Sequence, residues 1–361
     1  MNDNILTIIV PVYNTPIEHL MRCFDSLKNQ SCKDFELVVV DGGSKASVAM
    51  FLDELYASFE HINVVHINHC GVSATRNRGL ELVSTPYVAF GDSDDEYSLD
   101  FVKEAKEYAE RYEPDIVFGT ISCVPQVNLI QTDSQVYFFD NKDEIKEFYK
   151  AFLDIPENAW RLRVFPSQCG RVYLSSLACS TMFDENVSYG EDMIFNRKCL
   201  AKAQSILMVP NSWYIYYAND YSVTHQKNNS FFQVHKPYYD AFYDLNKSED
   251  LVMQRALFIP QYQSFFSVMH YDIIGEGLTD IFSEEKRKSF FEKKEFLKDV
   301  LNHPYFGDAF EGLRGSHDIG FVDRVFVYLV NHRMYRLLIF CCRIGIFLRS
   351  IKRKVLGQER F

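Results

Sequence analysis

The chain has 361 residues, room for two domains, and 47% hydrophobic with 24% charged residues is a globular composition, which excludes a disordered chain. A net charge of −11 makes the molecule as a whole a poor partner for nucleic acid. The charge is uneven: residues 321–361 carry nine Lys/Arg against two Asp/Glu, a local +7, which leaves −18 on the preceding 320 residues. Nine cysteines occur without a CxxC or a Cys/His metal spacing, the pattern of free thiols in a reducing compartment. Met1-Asn2-Asp3-Asn4 leads straight into an apolar run with no secretory leader, so the expectation is a cytosolic start.

Residues 5–12 form a β-branched run that predicts a strand buried on both faces. Residues 16–30 follow as a helix, with Thr15-Pro16 at its start and Leu20, Phe24 and Leu27 on its inner face. Residues 35–40 predict a second buried strand, ending in the turn Asp41-Gly42-Gly43-Ser44. A helix over 48–59, a strand over 63–67, a helix over 73–82 and a strand over 87–90 complete a β-α-β-α-β-α-β order. That order predicts a parallel sheet with helices on both faces. Ligands of such sheets bind beyond the C-terminal strand ends, where Tyr13-Asn14, Asp41 and Asp92–Asp95 fall.

Residues 101–112 predict a further helix, 115–120 a strand, and Tyr189-Gly190-Glu191-Asp192 opens a helix to 203. Beyond His225 the pattern is helical. Phe231, Val234, Tyr238, Phe242 and Leu245 form one apolar stripe, and Tyr262, Phe265, Met269 and Ile273 a second.

Asp92-Ser93-Asp94-Asp95 packs three carboxylates into four residues, which repel one another unless a cation sits among them. Mg²⁺ commonly uses one or two carboxylates together with substrate phosphates. The plainer reading is a solvated loop capping the helix that starts near Leu99. Glu191-Asp192 could likewise do no more than place negative charge at a helix N-terminus, and Arg76 could be an ordinary helix-surface arginine.

Taken together, these segments resemble family 2 of the inverting GT-A glycosyltransferases. The matching pieces are Val10-Pro11-Val12-Tyr13-Asn14; Phe35-Glu36 leading to Val40-Asp41-Gly42-Gly43-Ser44; Gly71-Val72-Ser73-Ala74-Thr75-Arg76-Asn77-Arg78-Gly79; Asp92-Ser93-Asp94-Asp95; and Gly190-Glu191-Asp192 with Phe195. Tyr216-Tyr217 with Ser222-Val223-Thr224-His225 matches more weakly.

The resemblance implies a Rossmann-like, mostly parallel sheet flanked by helices over residues 1–225. Residues 1–99 would be its nucleotide-binding half and 100–225 its acceptor half. A helical extension (226–320) and a basic amphipathic tail (321–361) would follow. The activity implied is transfer of a sugar from a nucleotide diphosphate donor, with UDP favoured, to a glycan or lipid-linked glycan in surface polysaccharide synthesis.

By the same resemblance Val12 and Tyr13 would wall the base, Asp41 would accept from a uracil ring nitrogen, and Arg76 would contact base or phosphates. Asp92 would face the ribose hydroxyls. Asp94 would ligate Mn²⁺ or Mg²⁺, with Asp95 assisting, and His225 would complete the metal shell. Asp192 would be the general base, beside Glu191, and Arg171 with Tyr173 would match part of the segment facing the transferred sugar. His61, His66 and His69 flank a strand whose period of two separates them, so they are not read as a metal cluster.

Two departures stand out. Gly42 replaces the second Asp of the usual Asp-Asp-Gly-Ser, and Gln168-Cys169-Gly170 precedes Arg171 where the family carries a different segment.

Residues 325–348 are apolar but hold His332, Arg333, Arg336 and Arg343, too many charges for a spanning helix. Read as one helix, they place His332, Arg336, Arg343 and Lys354 on one arc, the pattern of a helix lying on an anionic membrane at the cytosolic face. A core or oligomer helix is the competing reading. Two other readings of the whole chain are a nucleotidyltransferase, which would normally carry a Gly-rich basic loop where Tyr13-Asn14-Thr15-Pro16 stands, and a catalytically degenerate scaffold of a membrane glycan-assembly complex.

Overall fold

A computed structural model describes residues 4–56, 59, 61–124, 134–153, 167–217, 230–249, 251–274, 290–316, 319–342 and 344. The chain divides into two compact units, Met1–Gln226 and Lys227–Phe361.

The first unit opens with β1 (Leu6–Val12), α1 (Ile17–Lys28), β2 (Phe35–Asp41), α2 (Ala46–Tyr56), β3 (Ile62–His66), α3 (Val72–Leu80) and β4 (Tyr87–Phe90). Every residue of β1 is buried, as a β-branched run covered on both faces requires. Leu20, Cys23, Phe24 and Leu27 bury one face of α1, each large apolar side chain contributing about 1.5–3 kcal/mol. The register is parallel and sets Val12 opposite Asp41 and Asp41 opposite His66, so three strands end side by side.

The second half adds β5 (Glu96–Tyr97), α4 (Phe101–Tyr112), β6 (Ile116–Val124), β7 (Tyr137–Phe139), α5 (Lys142–Leu153), β8 (Arg171–Leu174), α6 (Ser175–Thr181), α7 (Glu191–Lys202) and β9 (Ile206–Tyr217). Sheet order among the described residues is β3-β2-β1-β4-β8-β6-β9-β5, with β7 on β9. The parallel expectation holds for the first four strands. Beyond them β8 runs antiparallel to β4 and β6, and β5 and β7 run antiparallel to β9, which makes the sheet mixed. The twelve-residue β9 carries Pro210 mid-run, which argues against a strand. It is tolerated because the β6–β9 register shifts there, at an irregularity where a ladder donor is dispensable.

In the second unit α8 (Phe231–Lys247), α9 (Leu251–Val268) with a π-helical end (Met269–Ile274), α10 (Phe290–Asn302), α11 (Pro304–Gly312) and α12 (Phe321–Asn331) are described. Tyr262, Phe265, Met269 and Ile273 are all buried, as their spacing predicts. The α8 stripe is offset: Phe232, His235, Tyr239, Phe242 and Asn246 face inward and Val234 is exposed. Two buried polar residues hid the true face from a hydrophobicity pattern. The expected continuous helix from 325 is also broken. α12 ends at Asn331, Arg333 takes φ 55°, and helix resumes at 335, so a single wheel does not apply. Arg343 and Lys354 lie outside the described residues. No described helix is long and apolar enough to cross a membrane.

The N-terminus of α8 is satisfied from a distance. Asp272 accepts from the Phe231 and Phe232 amides (2.8 and 2.7 Å) and from the Ser230 hydroxyl (3.0 Å). Asp272→Ala is expected to cost about 1–2 kcal/mol and to accelerate amide hydrogen exchange in the first turn of α8. Unchanged exchange there would show that water replaces the carboxylate at no cost.

Candidate active site

The ends of β1, β2 and β3 are tied together by short side chains. The Asn14 amide donates to Ser44 Oγ (2.9 Å) and Asn14 Oδ1 accepts from the Lys45 amide (2.9 Å). Asp41 is 2% exposed. One carboxylate oxygen accepts from the Ser44 amide at 2.9 Å, and the other meets His66 Nδ1 at 2.8 Å. The second ring nitrogen of His66 lies 3.1 Å from Asp53. Burial would raise the Asp41 carboxyl, but the Ser44 and His66 hydrogen bonds outweigh it and hold it below its ordinary value. Hydrogen bonding to Asp41, with Asp53 beyond, raises His66 in turn, because a ring between two carboxylates is best satisfied as an imidazolium.

Gly42 has a steric explanation: a Cβ there would stand 2.9 Å from Thr75 Oγ1. At Gly43 (φ 85°) a Cβ would meet the His69 amide nitrogen at 2.7 Å. His69 stacks on Tyr13, which is 52% exposed, with ring centroids 4.0 Å apart. His69 Nδ1 lies 3.1 Å from the Gly42 carbonyl. A carbonyl can only accept, so Nδ1 carries a proton in this contact. His66 and His69 thus join the strand-end site one by one. The sequence pattern, which weighed them only as a metal cluster, missed both. The visible signal was their position just after a strand end.

The acidic turn follows β4. Asp92 is part-exposed, and its Oδ1 accepts from Arg76 Nη2 at 2.9 Å. Its amide donates to Tyr214 Oη (2.8 Å), and Tyr214 donates to Asp95 Oδ2 (2.9 Å). Asp95 also accepts from the Tyr217 amide at 2.8 Å and is buried. Burial, with Asp92 and Asp94 near, pushes Asp95 up to about 8. The structure therefore turns Asp95 toward β9, whereas the sequence offered it as an assistant to Asp94. Asp94 is half-buried, and its backbone carbonyl accepts from Arg22. Arg22 also lies 3.7 Å over the Tyr217 ring.

The α7 helix starts at Glu191, after Gly190 in the left-handed region (φ 76°). Phe195 fixes it against Phe90, Tyr173 and Phe183, stacking on the last at 4.0 Å. Arg76, on α3 and 3% exposed, extends one nitrogen to Asp92 and the other to Glu191 Oε1 at 2.8 Å. The arginine that sequence assigned to the donor thus joins the acidic turn to the start of α7. Burial, with Glu191 adjacent, pushes Asp192 up to about 7, with Arg76 opposing. Arg171 is buried on β8, its guanidinium 4.5 Å from the centre of the Phe118 ring. Desolvation lowers its proton affinity, and Asp192 acts against that. His225 and Ser222–Thr224 lie outside the described residues.

Among the described residues no three His, Cys, Asp or Glu side chains form a metal-holding group. Asp94, half-buried in the acidic turn, carries an oxygen donor of the kind that a hard cation takes together with phosphate and water.

Residues 7–167 match the family model described as Glycosyl transferase family 2. The glycosyltransferase GlyA of Streptococcus pneumoniae is 29% identical over 219 residues, 59% of this chain and 30% of that protein. The glycosyltransferase EpsJ of Bacillus subtilis is 26% identical over 223 residues, 61% of this chain and 63% of that one. The chain thus spans less than two thirds of the length of either relative. Crystal structures of Staphylococcus aureus TarS 1-349, with UDP and with UDP-GlcNAc, share the fold: TM-score 0.65 at 17% identity, over 94% of this chain and 92% of that one.

Arg76→Ala removes the shared partner of two carboxylates, one of them largely buried. It is expected to destabilise the first unit by about 3 kcal/mol in urea unfolding. Adding Glu191→Leu should recover part of that loss, since the stranded charge is then gone. Equal stability of Arg76→Ala and the unaltered chain would mean that the pairs carry nothing.

Proposed function

We propose, on the match of residues 7–167 to glycosyl transferase family 2, that this chain moves a sugar from a UDP-sugar to a glycan or lipid-linked glycan acceptor, with inversion and with Mn²⁺ or Mg²⁺. The acceptor belongs to a surface polysaccharide, and the work is done at the cytosolic face of the cell membrane. The observation that carries this reading is the Arg76 bridge, which fastens the strand-end carboxylate Asp92 to the helix that presents Asp192. Donor site and base are parts of one hydrogen-bonded unit.

In this reading Val12, Tyr13 and the stacked His69 form the wall against which the base lies. Asp41, held by Ser44 and His66, would accept from the ring nitrogen of a uracil. Asp92 meets the ribose through the oxygen that Arg76 does not take, and Arg76 acts on the donor through Asp92. Asp94 would hold the cation, with His225 as a second ligand. When bound, that ion supplies positive charge to the departing diphosphate.

Asp192 takes the proton of the acceptor hydroxyl. The acceptor oxygen then bonds to the anomeric carbon as the bond from that carbon to the diphosphate breaks on the opposite face, and UDP leaves. Glu191 holds α7 to Arg76, and Arg171 supports β8 beneath the acceptor side. A UDP donor is favoured because the same fold in TarS takes UDP and UDP-GlcNAc.

The test pairs two substitutions. Asp192→Asn should lose about 10²–10⁴-fold in turnover yet keep the thermal shift that UDP produces with Mn²⁺. Asp94→Ala should lose the metal-dependent part of that shift. Full turnover in Asp192→Asn would remove Asp192 from the base role.

The pH profile gives a second check. A base raised to about 7 is protonated and inactive below that value, so activity should climb with pH and level off above it. The same shift means that ionised Asp192 costs the fold stability above pH 7, a cost that fades as pH falls. Asp192→Asn should therefore melt no lower than the unaltered chain at pH 8. A profile flat between pH 5 and 8 would contradict the assignment.

A further inference from the structure

We propose that residues 321–344 present a face that docks on an anionic lipid bilayer. The face is built of apolar side chains that are exposed among the described residues. On α12 Phe321, Val325 and Tyr328 lie at spacings of four and three and are 74%, 38% and 55% exposed. His332 continues the stripe, stacked on Tyr328 at 3.9 Å. After the turn at Arg333 the pattern restarts: Leu337, Phe340 and Ile344 are 43%, 58% and 42% exposed, while Tyr335, Leu338, Ile339 and Cys342 pack inward.

Both segments are therefore apolar on two faces, one against their own unit and one outward. Scattered exposed apolar residues are ordinary, but two successive stripes in one short stretch mark a binding surface.

Charge selects the occupant. Arg324, Arg333 and Arg336 are exposed within the same stretch, and the sequence continues with Arg349, Lys352, Arg353 and Lys354. A second copy meeting this face through a two-fold axis would set Arg324, Arg333 and Arg336 against the same three arginines. An anionic bilayer offers both partners at once, acyl chains for Phe321, Leu337 and Phe340 and lipid headgroups for the arginines. The −18 on the rest of the chain is repelled by the same surface, so the field favours approach by this face alone.

This inference does not depend on the enzymatic reading, and its test has no activity readout. The full chain is centrifuged with vesicles of phosphatidylcholine, with and without phosphatidylglycerol. It should sediment with the anionic vesicles at low salt, remain in solution with the zwitterionic ones, and be released by high salt. The double variant L337D/F340D changes two exposed side chains and should keep its circular dichroism and Tm. It should lose binding at least about tenfold. R333Q/R336Q should be released at lower salt and show a shallower salt dependence, while still binding at low salt.

Failure of the unaltered chain to sediment with anionic vesicles overturns the proposal. So does a stable dimer that L337D/F340D dissociates while sedimentation is unchanged, because the face would then belong to a second copy. Retention on a nucleic-acid column that L337D/F340D abolishes would do the same.

Discussion

A buried guanidinium sets the geometry of the first unit. Arg76 has almost no exposure and therefore requires compensating charge on both terminal nitrogens. It obtains that charge from Asp92, sixteen residues away, and from Glu191, 115 residues away. The two sources lie on different elements, one just past the end of a parallel strand and the other the first residue of α7. Satisfying one arginine thus holds the acidic turn and the start of α7 in a single arrangement. The α3 helix can carry that arginine inward because Asn77, next to it, binds the backbone of Phe183 on both sides, through its amide nitrogen (3.0 Å) and its amide oxygen (2.7 Å).

The acidic turn shows the same economy of charge. Asp92, Asp94, Asp95 and Glu96 would repel one another if left alike, and each has a different environment. Asp92 is paired with Arg76, and Asp95 is buried against Tyr214 and Tyr217. Glu96 accepts from the Tyr217 hydroxyl and lies beside Arg22. Asp94 stays half-buried in the turn. The repulsion that a cation would have to offset is already reduced by these contacts, so one or two carboxylates with a diphosphate are sufficient to hold it.

Much of this was legible in the sequence because the first four strands and their helices are locally consistent. Their β-branched runs, a proline at the helix start and glycine-rich turns all agree. The strand-end rule then located Tyr13, Asp41 and Asp92 without a structure. What escaped depended on distant partners. β9 was hidden by Pro210, and with it Tyr214, the hydroxyl that links Asp92 to Asp95. The inward face of α8 was misread because His235 and Asn246 are buried and polar. The helix break at Arg333 was illegible because Asn331 to Met334 contains neither glycine nor proline. The bridging role of Arg76 could not be read at all, since it exists only when two distant segments meet.

Gly42 shows how a departure from a family pattern can be structural before it is functional. A side chain at this position would press on Thr75 Oγ1, and that hydroxyl already donates to the Gly71 carbonyl at the start of α3. The helix that carries Arg76 and the turn that carries Gly42 therefore compete for the same space. With glycine in place the turn can close, and Gly43 lets the His69 backbone pass at a distance no other residue allows. His69 then stacks on Tyr13 beside this turn. Exchanging a negative group for a neutral one matters in a chain of net charge −11. For a diphosphate at the strand ends, as proposed, each carboxylate removed from their rim would lower the repulsion it meets. On this argument the missing Asp and the tight packing of α3 against β2 are two effects of the same constraint.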